Sequence, residues 1–190
     1  MDLKSVFQSL SWGSSKETRS GPGSTLEGTR QLRVALPRLL EKWKIRVVND
    51  AGCGDLNWIS GLNLAGIEYR GFDLRGLSGT EAARLGTMKA GVRSVNELDI
   101  TSEVMPPADL IICKDVLIHL PHALALEALK LFKQAAPLLL STSDPTVKNI
   151  DIFAGQFRPV NLMAPPFNLG EPLEKIEEPQ WRRFQGLWRL

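Results

Sequence analysis

The chain has little of several residue types that announce a function. Among its 190 residues there are two cysteines, two histidines and one tyrosine. Cys53 and Cys113 form neither a disulfide framework nor a metal-ligand spacing. His119 and His122, without matching cysteines or acids, do not make a metal site, and none is expected. A net charge of +2 argues neither for nor against nucleic acid, and there is no basic stripe of the kind a dedicated DNA binder carries. No apolar run approaches the ~20 residues of a membrane span. Met1 to Leu10 is not an apolar core behind a basic start, so no signal peptide is expected, and a reducing cytoplasm is the expected location. No internal repeat is visible.

What is present is ordinary globular material: 43% apolar and 23% charged residues, enough for one domain with a buried core. The chain is organised around Ile45 to Trp58. Ile45, Val47 and Val48 suit a buried strand, which passes through Asp50 into a turn of small residues, Ala51-Gly52-Cys53-Gly54. Asp55 then stands at a helix N-cap position, with Leu56, Trp58, Ile59 and Leu62 on an apolar helical face. The reading is strand, glycine turn, helix. Glycines let backbone approach a ligand closely, and amides at a helix start favour a negative group. Asn57 stands where the dinucleotide fingerprint has its third glycine. A second strand, Ile67 to Asp73, ends in an acid 19 residues after Gly54. An acid at roughly that distance reaches a ribose hydroxyl, which points to an adenosine-containing cofactor.

The ordered series Asp50-Ala51-Gly52-Cys53-Gly54, Gly71-Phe72-Asp73, Leu98-Asp99-Ile100-Thr101 and Asp109-Leu110-Ile111-Ile112-Cys113-Lys114-Asp115 resembles the motifs of class I S-adenosylmethionine-dependent methyltransferases over roughly Thr25 to Leu140. The flanks Gly23-Ser24-Thr25-Leu26-Glu27 and Ala164-Pro165-Pro166-Phe167-Asn168 look like those of short bacterial and phage members. The resemblance implies a Rossmann-like, doubly wound α/β fold. Its sheet would be mostly parallel, with helices on both faces and an antiparallel C-terminal edge strand. It also implies S-adenosyl-L-methionine as cofactor, held by Asp50, Ala51, Gly52, Cys53, Gly54, Trp58, Asp73, Leu74, Asp99, Ile100 and Lys114. Asp73 would accept the ribose hydroxyls, the Gly52 and Gly54 amides would approach the amino-acid part, and Asp50 would organise the turn or receive the ammonium. Asp99 and its neighbour would contact adenine; alternatively, Asp99 caps the turn at Thr101.

Residues 1–24, rich in serine and glycine, are expected to form an arm, or a lid in which Phe7 and Trp12 anchor on the body. Residues 25–190 are expected to form the single domain. Leu32, Leu36, Leu39 and Trp43 predict a helix that Pro37 kinks or divides. Its Arg30, Arg33, Arg38 and Lys42 are read as a solvated face before a phosphate-binding one. Thr80 to Lys89 reads as a helix stopped at Gly91, Val92 to Leu98 as a weak strand, and Asp109 to Cys113 as a central parallel strand. A helix from His122 to Gln134 and a strand from Leu138 to Thr142 follow, completing the alternation of a parallel sheet. Phe157–Leu162 and Gln185–Leu190 are candidate antiparallel strands. Glu174 to Glu178 reads as a solvated turn of helix.

Methyl transfer is an in-line displacement in which the protein supplies position and, where needed, a base. His119 and Asp115, near the fourth strand, are the candidate catalytic residues, although a lone histidine can equally be structural; His122 is read as a helix cap. The Asn/Asp-Pro-Pro-aromatic motif of DNA amino-methyltransferases is replaced by Lys114-Asp115-Val116-Leu117, which disfavours DNA or RNA. The expected function is methyl transfer to an O or N atom of a small-molecule or sugar-type acceptor. The alternatives are a non-catalytic cofactor-binding partner or regulatory subunit, and a nicotinamide oxidoreductase, which the missing third glycine opposes. The oligomeric state is open.

Overall fold

The computed structural model describes residues 3–9, 16–74 and 79–190; Trp12 lies outside them. Among the described residues, seven strands form one sheet in the order β3-β2-β1-β4-β5-β7-β6. They are β1 Val47–Ala51, β2 Asn63–Asp73, β3 Lys89–Glu97, β4 Leu110–Cys113, β5 Leu138–Ser143, β6 Glu174–Glu178 and β7 Arg183–Arg189. Pairings among β1 to β5 are parallel, whereas β7 runs antiparallel to both β5 and β6. The chain reverses its direction of winding between β1 and β4, the switch point outside which open α/β sheets bind ligands.

The helices are α1 Leu3–Ser9, α2 Arg30–Lys42, α3 Gly79–Thr87 and α4 His122–Ala135. Alternation along the strands divides the core in two. Leu110, Ile112, Leu138 and Leu140 face one cluster with Leu32, Leu36, Leu39 and Leu40 of α2. Ile111, Cys113 and Leu139 face the other with Ala125, Leu129 and Phe132 of α4. Both faces are covered, as the continuous apolar runs of β4 and β5 require.

Several expectations are corrected. Leu56, Trp58, Ile59 and Leu62 are buried as expected, but the segment crosses from β1 to β2 as successive turns instead of a regular helix. Leu56 has φ 60°, outside helical dihedrals, and Gly61 and the start of β2 leave no room for further turns. Of the two readings of Pro37, the division of the helix is set aside, since α2 continues through it. Gly91 lies inside β3 and does not stop α3. Phe157–Leu162 forms no strand, and the edge of the sheet is β6. Glu174 to Glu178 is that strand: Ile176 and Glu178 are buried and Lys175 and Glu177 exposed, a period of two that its charge density conceals.

Candidate functional site

The carboxyl ends of β1, β2, β3 and β4 open into one cleft lined by Asp50, Gly52, Cys53, Gly54, Trp58, Asp73, Leu74, Asp99, Ile100, Lys114, Asp115 and His119. Ala51 is the one residue expected at the cofactor that does not line it: its side chain is fully buried in the α4-side core.

At the end of β1, Asp50 is 2% exposed and accepts a 2.6 Å hydrogen bond from the Tyr69 hydroxyl. Burial pushes its carboxyl up to about 7, helped by the Asp73 charge and opposed by the Tyr69 hydrogen bond and Lys114. Burial and Asp50 together push the Tyr69 phenol well above its usual range, so Tyr69 stays a donor. The chain then turns sharply. The Gly52 and Cys53 amides both donate to the Phe72 carbonyl at 2.7 and 3.1 Å, clamping the turn to β2. Gly52 has φ 77° and Gly54 φ 57°. A Cβ at Gly52 would stand 2.3 Å from Val116 Cγ2, and one at Gly54 2.3 Å from Ser20 Oγ. Only glycine fits both positions. The Gly54 amide donates to Asp73 Oδ2 at 3.0 Å, so the acid at the end of β2 is fastened to the turn itself.

Asp99 caps a turn, accepting from the Thr101 amide and hydroxyl at 2.8 and 2.7 Å, and it also lines the cleft. The two roles weighed for it are compatible. Beyond β4, Lys114 is buried, donates to the Gly23 carbonyl at 2.8 Å and pairs with Asp115. Asp115 has φ 56° and is held from three more directions. Its amide donates to Thr142 Oγ1 at 3.0 Å, the Thr142 hydroxyl donates back to Oδ1 at 2.9 Å, and Arg183 Nη2 donates to Oδ2 at 2.9 Å. Burial alone would raise the Asp115 carboxyl; the charges of Lys114 and Arg183 override it and hold the group well below the usual carboxylate range. A carboxylate so stabilised is a poor proton acceptor, which is why Asp115 fits a positioning role better than the base expected of it.

His119 ends a short 3-10 turn, Leu117–His119. Its Nδ1–H donates to the Gln156 carbonyl at 3.0 Å, since a carbonyl can only accept, and Nε2 is therefore the basic nitrogen. Burial lowers its pKa below the ordinary histidine value, against the Gln156 hydrogen bond and Asp115, so it is neutral at pH 7. His122 does not cap α4. It is the first helical residue, and its amide is capped by Asp151 Oδ1 at 2.7 Å.

The N-terminal segment contributes lining residues that sequence reasoning did not name, Leu3, Arg19, Ser20 and Ser24, beside Phe7, which it weighed as an anchor of a lid. Asp55, 3% exposed, anchors this segment. It accepts from the Thr18 hydroxyl at 2.9 Å, the Arg19 amide at 2.9 Å and the Ser20 hydroxyl at 3.1 Å, and it pairs with Arg84 at 2.7 Å. Although burial opposes it, the Arg19 amide and Arg84 hold the Asp55 carboxyl below its ordinary value. The only local signal was an acid after the glycine turn, and it reads equally well as a helix cap.

No protein-family model matches the chain, and no curated protein matches it by sequence. Solved structures do match. The magnesium protoporphyrin IX methyltransferase of Synechocystis PCC 6803, crystallised with bound SAM, has a TM-score of 0.63 at 16% identity, over 99% of this chain and 96% of that one. The pyocyanin biosynthetic protein PhzM gives 0.65 at 17% identity, over 87% of this chain and 56% of that one. A small RNA methyltransferase gives 0.52 at 17% identity, over 61% of this chain and 16% of that one. The chain has the fold of the class I S-adenosylmethionine-dependent methyltransferases.

Proposed function

We propose that the cleft binds S-adenosyl-L-methionine and that the protein transfers its methyl group to a hydroxyl or amine of a small-molecule acceptor. One observation carries the reading. Among the described lining residues, five aspartates surround a glycine turn; Asp55 is paired with Arg84 and Asp115 with Lys114 and Arg183, and Asp50, Asp73 and Asp99, beside Arg19, meet the charge of a ligand. Such a cleft favours a ligand bearing sulfonium and ammonium charges and repels a pyrophosphate or a nucleic-acid backbone. When bound, the cofactor supplies an electrophilic methyl carbon and a thioether leaving group.

The chain's own residues do the rest. Asp73 accepts from ribose hydroxyls, the Gly52–Gly54 backbone allows close approach of the amino-acid part, and Asp50 receives the ammonium. Lys114 ties Gly23 to Asp115 beside the cleft. His119 Nε2 takes the proton that the acceptor's hydroxyl or amine releases. The folds it resembles include a porphyrin methyltransferase and a small RNA methyltransferase, so the fold leaves the acceptor open; the acid-rich cleft favours the small molecule.

Calorimetric titration with S-adenosylhomocysteine tests the cofactor. With Asp50 near 7, a proton competes with the ammonium, and Kd is expected to rise about tenfold per pH unit below 7. Asp50→Asn should bind weakly with no pH dependence. Absence of binding at pH 6, 7 and 8 would discard the reading. The linkage to stability has the opposite sense. Because the folded value is raised, the Asp50 contribution is present below pH ~4 and lost as pH rises through about 7.

His119→Asn is expected to retain S-adenosylhomocysteine affinity while slowing methyl transfer to phenol or amine acceptors by about 10²–10⁴-fold. The wild-type rate should already be on its plateau at neutral pH, because His119 titrates below its ordinary value. A variant as fast as wild type would remove the base from the mechanism.

A further inference from the structure

The loop after β5 is fastened to the body by hydrogen bonds from Arg158 and from its backbone. The Arg158 side chain is buried; its Nε donates to the Ile150 carbonyl at 2.7 Å and its Nη1 to the Leu117 carbonyl at 2.9 Å. The Arg158 amide donates to the Ile118 carbonyl at 3.0 Å and the Gly155 amide to the His119 carbonyl at 2.9 Å. The Phe153 amide is satisfied within the loop by Gln156 Oε1 at 3.0 Å. Residues 150–158 are therefore bonded directly to the turn that carries His119.

The same loop turns its large apolar side chains outward. Phe153 is 81% exposed, Phe157 65% and Ile150 61%. A loop with so many internal bonds could bury these groups against the body; leaving three of them in water forgoes the stabilisation of burial. The Phe157 ring lies 5.9 Å from the His119 ring, tilted by 52°, and His119 lines the cleft. Phe157 thus stands beside a residue of the cleft wall, just outside the lining itself. His119 is held by this loop through Nδ1 and by its own carbonyl, so any surface the loop offers is fixed relative to the basic nitrogen.

We infer that Phe157, with Phe153, forms the acceptor subsite, and that the acceptor is a planar aromatic molecule whose hydroxyl or amine is presented to His119 while its ring packs on these phenylalanines. The inference rests on the proposed function for the identity of the reaction, but not for the binding surface. An aromatic occupant matches the chemistry, since rings pair face-offset or edge-on with phenylalanine and add to the simple gain from apolar burial. The Arg158, Gly155 and Phe153 donors of the loop are spent on holding it, so a ring placed on Phe157 meets an aromatic face and not those donors.

The test uses the full chain with naphthol as a planar phenol and methyl glucoside as a sugar, followed by saturation-transfer NMR with and without S-adenosylhomocysteine. Wild type is expected to bind naphthol and not the glucoside, and Phe157→Ser to weaken naphthol by about tenfold, with Phe153→Ser having a smaller effect. Both residues are exposed, so the variants should keep the wild-type melting temperature and S-adenosylhomocysteine affinity. Equal naphthol affinity in wild type and both variants would overturn the subsite, as would preference for the glucoside. So would a wild-type dimer in sedimentation that dissociates in Phe153→Ser, since a second copy would then own the surface. Naphthol binding that depends on Phe157 without any S-adenosylhomocysteine binding would support the subsite and reject the cofactor assignment, so the two readings fail separately.

Discussion

Gly52→Val is expected to raise the Kd for S-adenosylhomocysteine by at least about a hundredfold, a loss of some 2.7 kcal/mol. The cause lies in the turn. Gly52 has φ 77°, a conformation that a β-branched residue strongly resists, and its first added carbon would meet Val116 Cγ2 at 2.3 Å. The chain can relieve this only by moving the turn or Val116, and both line the cleft. Moving the turn breaks the clamp of the Gly52 and Cys53 amides on the Phe72 carbonyl and carries Gly54 away from Asp73. Strain of roughly 1–3 kcal/mol also enters the folded state, which lowers the melting temperature by about 2–12 °C in a chain of this size. Calorimetry with S-adenosylhomocysteine and a thermal scan measure the two effects. Wild-type affinity in a folded variant would show that the turn is no part of the cofactor site. Asp73→Ala separates the effects, since it should weaken binding by removing a carboxylate at the cleft without the backbone strain of Gly52→Val.

Arg183→Ala is expected to cost about 3–5 kcal/mol of stability, or roughly 6–20 °C in melting temperature, because it strips the partner from two carboxylates at once. Arg183 Nη2 bonds Asp115 Oδ2 at 2.9 Å, and Arg183 Nε bonds Glu178 Oε2 at 2.9 Å. Glu178 has no solvent exposure, and Asp115 retains only Lys114 as a countercharge. The sign of the pH dependence follows from Asp115, whose folded pKa is depressed. Its contribution is present above the unfolded value near ~4 and disappears only as pH falls through the lower folded value. The deficit of the variant should therefore be largest at neutral pH and shrink below pH ~4, where protonation relieves the Asp115 carboxylate. Urea unfolding of both proteins at pH 7 and pH 3 measures it. An equal deficit at both would mean that packing, and not charge, is what Arg183 contributes.

Much of the site was legible because its signals are local. The glycine turn, its strand and the acid ending the second strand lie within Ile45 to Asp73, and the Gly54 amide does bond Asp73, at 3.0 Å. What weighs against Asp115 as a base is non-local. The arginine that lowers its basicity comes from β7, 68 residues later, and no neighbour in sequence announces it. The histidine beside it carried no pattern beyond its position after β4; the Gln156 carbonyl that selects its tautomer lies 37 residues on.

The sequence by itself determined the strands β1, β4 and β5, the helices α2 and α4, and the buried face of α2 at Leu32, Leu36 and Leu39, because periodicity and continuous apolar runs need no knowledge of partners. Tertiary structure decided everything that depended on what lay opposite. Leu56 to Leu62 became buried turns without helix. Glu174 to Glu178 became an edge strand because β7 offered a ladder, with Ile176 paired to Gln185. The serine- and glycine-rich residues 16–24 became a wall of the cleft because Thr18 and Ser20 found Asp55, 37 and 35 residues away. Hydrophobic periodicity is written along the chain, whereas a charge or a hydroxyl acquires its role only from the group the fold sets against it.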